Sequence, residues 1–132
     1  PHKRAAAAAQ GGLCGVWAER LTRRSIFEAF RARRTYALTG ARIALRFSVN
    51  GAPMGSEIAP SSPRLLAAEA WAPGPIARVQ LMRNAQLLHE ECPNADVCRV
   101  EFRDLDVEPA FYHCRIVQDD GQMAVCTPVW AG

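Results

Sequence analysis

Histidine is scarce in this sequence: His2, His89 and His113 are the three among 132 residues. They lie far apart, and none is read as having a second ligand two or four positions away. A catalytic metal cluster needs several His and acidic side chains converging on one point, so no such constellation is expected from this chain alone. The five cysteines, Cys14, Cys92, Cys98, Cys114 and Cys126, include no Cys-x-x-Cys pair, which argues against a structural zinc site. There is no secretory apolar region and no apolar run long enough to span a bilayer, so a membrane partner is not expected. The sequence starts at Pro1 and not at Met; it is read as a fragment or processed product, and the location of the parent protein stays open.

What is present is a core-forming composition, with 49% hydrophobic and 22% charged residues, globular and not disordered. The net charge of +3 conceals an asymmetry. Residues 1–46 hold ten of the sixteen Lys and Arg and two of the thirteen acids, and the remainder is acidic. A basic front suits an anionic surface or the acidic face of a neighbouring domain. Nucleic acid is disfavoured as a partner, because no exposed aromatics are read as interleaved with the arginines.

The basic front centres on a helix. Thr22 is a good N-cap, Ser25 with Glu28 offers a second capping register, and Ile26, Phe27, Ala29 and Phe30 recur at helical spacing among arginines. Phe27 and Phe30 are expected in the core. Thr35 and Tyr36 favour extended chain, so the helix should stop near Arg34. Residues 1–12 read as an arm, and Leu13 to Trp17 as a short buried strand.

From Arg42 the period becomes two, with Ile43, Leu45, Phe47 and Val49 on one face. Asn50-Gly51 is the favoured hairpin pair. Further strands are predicted at Leu65 to Trp71, Ile76 to Arg83, a short return through Leu87 and Leu88, Cys98 to Arg103, around Tyr112, Cys114 and Ile116, and Met123 to Trp130. Ala72-Pro73-Gly74-Pro75 should separate the first two. Seven short strands with these turns predict a mainly β chain, an antiparallel immunoglobulin-like β-sandwich preceded by one amphipathic α-helix. Tyr112, two residues before Cys114, resembles the tyrosine corner of such domains. Cys92 and Cys98 flank a turn and could bridge in an oxidising compartment, a pairing that spacing alone leaves open.

The runs Leu21-Thr22-Arg23, Ile26-Phe27-Glu28-Ala29, Arg33-Arg34-Thr35-Tyr36-Ala37 and Thr39-Gly40 carry a further signal, together with Gly11-Gly12-Leu13 and Val16-Trp17-Ala18-Glu19. With Asn50-Gly51-Ala52-Pro53-Met54-Gly55-Ser56-Glu57 and the ending Thr127-Pro128-Val129-Trp130, they resemble the C-terminal part of large bacterial metallohydrolases. Those are relatives of the polymerase and histidinol phosphatase (PHP) superfamily, in the carbaryl-hydrolase-like branch. The resemblance implies that residues 1–40 end a catalytic barrel and residues 41–132 form an accessory β-sandwich. It implies ester, amide or phosphoester hydrolysis by metal-activated water in the intact protein, with zinc, manganese or iron as the metal and none expected in this piece. His2 is the one candidate metal ligand, as the remnant of a late Asp-x-His motif.

The partner implied is the preceding barrel; failing it, the helix should fold onto its own sheet or the chain should self-associate into a homo-oligomer. The alternative is an autonomous sandwich that binds a glycan, a peptide or a partner subunit, for which Trp17, Trp71 and Trp130 could form an aromatic platform. His113 should face solvent, and His89 should sit isolated in a polar loop.

Overall fold

A computed structural model of the chain describes residues 13–132. The elements run β1 (Leu13–Val16), α1 (Arg23–Arg31), β2 (Thr35–Leu38), β3 (Ala44–Val49), β4 (Ala52–Pro53), β5 (Glu57–Ile58) and β6 (Arg64–Arg83). They continue with β7 (Gln86–Glu91), β8 (Ala95–Asp104), β9 (Ala110–Gln118), β10 (Met123–Cys126) and β11 (Val129–Ala131). The expected architecture is present: mainly β, antiparallel and sandwich-like, with one amphipathic helix near the front. Among the described residues the single parallel pairing joins β5 to β11.

β6 is common to both layers. Its first half lies between β3 and β8, with Ala68 opposite both Phe47 and Val100. Its second half lies between β9 and β7, with Leu81 opposite both Cys114 and His89. The expected break at 72–75 is therefore corrected: the chain continues as one strand through Pro73 and Pro75, and the β8 ladder changes register between Trp71 and Ile76. Proline lacks the amide donor, so the ladder skips that stretch without the extended backbone having to end. Likewise the strand expected over Met123 to Trp130 divides into β10 and β11 at Thr127 and Pro128.

Alternation places the core. Leu45, Phe47, Val49, Leu66, Ala68 and Val100 from one layer meet Val79, Leu81, Tyr112, Cys114, Ile116 and Ala124 from the other, all buried. The inward rows expected on β3 and β9 are those observed. Asn50 and Gly51 both take positive φ, 52° and 83°, as the tight β3–β4 hairpin requires.

The front of the chain is stitched into this sheet. β1 pairs with β2, Gly15 lying opposite Tyr36, and β2 pairs with β10. The side chain of Thr22 accepts from the Ser25 amide at 3.1 Å and caps α1 as expected. The helix ends at Arg31, three residues before the expected stop. Arg34 N–H donates to Ala29 O at 2.9 Å and Arg33 N–H to Phe30 O at 3.0 Å, the paired bonds of a Schellman motif, with Arg33 in the left-handed position at φ 61°. Gly55 lies against this turn, where a Cβ would run into the carbonyl oxygens of Ala32 and Arg33.

Candidate functional site

The outer face of β3, β6 and β8 carries a charged row: Arg46 stands opposite Glu69, and Glu69 opposite Arg99. Arg99 pairs with Glu69 at 2.9 Å and with Glu101 at 2.7 Å. β4 covers only the far end of β3, so other groups satisfy the rest of that edge. The Trp17 indole N–H donates to Leu45 O, and Met54 N–H donates to Phe47 O at 2.9 Å. Trp17 is itself clamped to the turn after α1: its amide donates to Arg34 O at 3.0 Å, and Arg34 Nε donates to Trp17 O at 3.2 Å. The Arg46 guanidinium lies over the Trp17 ring, 4.3 Å from its centroid. Between them opens a cleft of about 330 Å³, walled by Trp17, Arg34, Arg46, Ser48, Glu69 and Arg99. Its wall carries three cations and one carboxylate.

The second feature is the outer side of α1. Ala29 is fully buried while Phe27 is 59% exposed, Phe30 44% and Leu21 88%. The expectation that both phenylalanines enter the core is corrected. Ala29 is the residue that sinks inward, and Phe27 lies about 160° around the helix from it. Arg31 reaches over Phe27 at 5.9 Å. At the turn, Arg33 covers Trp130 at 4.8 Å and pairs with Glu57 at 3.3 Å.

The third is a polar cluster at the end of the sandwich. Arg64 is fully buried. It donates through Nε to Ser61 O at 2.9 Å, and through Nη1 to Glu108 O at 2.7 Å and to the Tyr112 hydroxyl at 3.0 Å. That hydroxyl donates to Asp104 Oδ2 at 2.6 Å, and Arg83 Nη1 bonds both Asp104 oxygens at 2.9 and 3.0 Å. Burial pushes the Asp104 carboxyl up, but the bonds from Tyr112 and Arg83 outweigh it and hold it below the usual carboxylate range. Burial and the neighbouring carboxylate push the Tyr112 phenol up. The Tyr112 hydroxyl does reach upstream, but to the side-chain carboxylate of Asp104 and not to the backbone as in a tyrosine corner.

His2 lies outside the described residues. His89 is in β7 and not in a loop, and Glu91, two positions on and so on the same strand face, meets its Nε2 at 2.8 Å. The reading of His89 as isolated is corrected by that i, i+2 pair; the ring also stacks on Phe102 at 4.8 Å. His113 is half-buried beside Phe111, with its Nδ1 buried and unpaired; burial and Arg115 push its pKa down. Among the described residues no three His, Cys, Asp or Glu side chains gather into a metal-binding group, so these donors do not fit the metal the resemblance implies.

All five cysteines are free thiols, Cys92 and Cys98 included. Burial raises the Cys114 thiol well above its ordinary value and pushes Cys126 up to about 12. Trp17 and Trp130 line separate depressions, each beneath its own arginine, so they do not make one platform. Among the described residues no helix is long and apolar enough to cross a membrane.

This arrangement defines a small mainly β domain with a charged cleft and an uncovered helix face. Its residues 2–62 match the family described as "Protein of unknown function (DUF3604)", a stretch that includes Trp17, Phe27, Phe30, Arg34 and Arg46. An uncharacterised protein of Chlamydia pneumoniae is 32% identical over 138 aligned residues, covering 90% of this chain and 22% of its own length. Uncharacterised proteins of Chlamydia trachomatis serovar D and Chlamydia muridarum are 31% and 30% identical with the same coverage. The chain therefore spans about a fifth of the length of these curated relatives. No solved structure matches it.

Proposed function

We propose that this chain is a non-catalytic accessory segment of a larger PHP-like metal-dependent hydrolase, and that α1 is its seat on the catalytic barrel. The observation that carries this reading is the exposed pair Phe27 and Phe30 on α1, with Leu21 exposed just before its N-cap. Large apolar side chains grouped on one helix face are costly in water and suit a packed interface. The surrounding arginines suit acidic residues on the facing surface. The relatives' much greater length leaves room for such a barrel. In this reading the barrel supplies the metal, zinc, manganese or iron, and the metal-activated water that attacks an ester, amide or phosphoester. The described residues supply support and shape at its edge. His2 belongs to this proposal as a candidate ligand contributed to the barrel.

The alternative, an autonomous binding module, draws support from the Trp17–Arg46 cleft. The test compares this chain with a longer protein that contains it. Metal content by elemental analysis and turnover of esterase and phosphodiesterase substrates should both appear in the longer protein and not in the chain. Changing Phe27 and Phe30 to Ser in the longer protein should loosen the contact, seen as faster proteolytic release of the C-terminal segment. A longer protein that neither holds metal nor turns over any of these substrates would sink the hydrolase reading.

A further inference from the structure

We propose that the cleft between Trp17, Arg34, Arg46 and Arg99 binds the oxyanion of a small ligand, a carboxylate or a phosphoryl group. The proposal holds whether or not the chain serves a hydrolase.

The lining keeps an excess of positive charge, since Glu69 and Glu101 are both paired to Arg99 and neither is paired to Arg34 or Arg46. Arg46 and Arg34 have no carboxylate partner among the described residues. The Arg46 guanidinium lies over the Trp17 ring, a cation–π contact made through the ring face that does not use the guanidinium N–H groups as hydrogen-bond donors. Trp17 is in turn fixed by bonds to β3 and to the turn after α1. The guanidinium is therefore oriented before any ligand arrives, which lowers the entropic cost of binding. Arg34 spends its Nε on Trp17 O, and its terminal nitrogens have no acceptor among the described residues. Ser48 also lines the cleft.

Forked, planar donors match the two-oxygen geometry of carboxylates and phosphates. A cleft of about 330 Å³ is at the small end of ligand sites, so the ligand is a small molecule.

The three tryptophan indole N–H signals provide the readout. Uniformly 15N-labelled protein would be titrated with citrate and, separately, with pyrophosphate at constant ionic strength, the indole signals being assigned from Trp→Phe variants. The Trp17 signal should move and saturate while those of Trp71 and Trp130 stay in place. The Arg46→Gln and Arg34→Gln variants should each weaken binding about tenfold or more, the scale of a lost charge-assisted hydrogen bond. Arg78→Gln, an exposed arginine on the other half of β6, should leave binding unchanged and so control for the net charge. Tighter binding of citrate would identify the carboxylate as the group recognised, and tighter binding of pyrophosphate the phosphoryl group. The proposal is overturned if neither probe saturates by roughly 20 mM, or if both cleft variants bind as the Arg78→Gln control does.

Discussion

Replacing Tyr112 by Phe removes a single hydroxyl from a fully buried ring, and the local geometry sets what that should cost. The hydroxyl donates to Asp104 at 2.6 Å and accepts from Arg64 at 3.0 Å, so both of its bonds involve an ionised partner. Hydrogen bonds to charged groups contribute about 1.5–3 kcal/mol each. Arg64 keeps Ser61 O and Glu108 O, and Asp104 keeps Arg83, so the net loss should be about 2 kcal/mol. For a chain of this size that is a fall in Tm of about 6–8 °C. Asp104→Asn should cost more, about 3 kcal/mol, because the Tyr112 hydroxyl and Arg83 both lose a charged acceptor, although Arg83 keeps Asp106 at 3.2 Å.

The pH dependence separates this account from simple packing. The folded Asp104 carboxyl titrates below its unfolded value. Its contribution is therefore complete above the ordinary carboxylate pKa and is lost as pH falls through the lowered folded value. The gap between wild type and Asp104→Asn should be wide at pH 7 and narrow as the solution is acidified through the carboxylate range. Thermal melts across that range, with the double variant completing the cycle, give the coupling directly. A Tm within about 1 °C of wild type for Tyr112→Phe, or strict additivity of the two changes, would refute the network.

Gly55→Ala should destabilise by about 2 kcal/mol or more, measured by urea unfolding, since Gly55 has φ 89° and its Cβ would meet backbone atoms of the α1 turn. In the native state a thiol reagent should modify exposed Cys92 rapidly, whereas buried Cys114 and Cys126 should react only once the chain is unfolded. His113→Gln should flatten the loss of stability on acidification. The folded imidazole titrates below its ordinary 6.5, so its neutral form stabilises above that pH, and the advantage is lost as pH falls through the lowered value. Melts between about pH 7 and pH 5 would show the two slopes converging if the side chain were solvated instead.

The alternation in β3 and β9 and the Asn50-Gly51 hairpin were legible because backbone periodicity and turn chemistry are local. The Thr22 cap was legible for the same reason. The continuity of β6 was not, because a Pro-Gly-Pro stretch is both a breaker and a tolerated interruption, and only neighbouring strands decide which. Phe27 and Phe30 misled because apolar residues on several sides of a short helix leave its inward face undetermined; the small Ala29 fixes it by permitting close approach. The cleft could not be read at all. Trp17, Arg34, Arg46 and Arg99 are scattered along the chain and meet only through strand register and the Schellman turn, which uses Arg33 where sequence patterns lead one to expect Gly. Arg64 was hidden similarly, an arginine next to a loop whose burial depends on Tyr112 far downstream. The His89–Glu91 pair, by contrast, is visible in the sequence, since residues two apart in a strand share a face.

Because a single strand, β6, runs from one layer into the other, neither layer can detach while the other stays folded. Amide protons in its two halves should exchange with solvent in one common opening event, at the free energy of global unfolding. Three of the four partners of β6, namely β3, β8 and β9, are distant in sequence, β7 alone being joined to it by a tight turn, so its assembly waits on several loop closures. The chain should accordingly fold slowly and as a single cooperative unit.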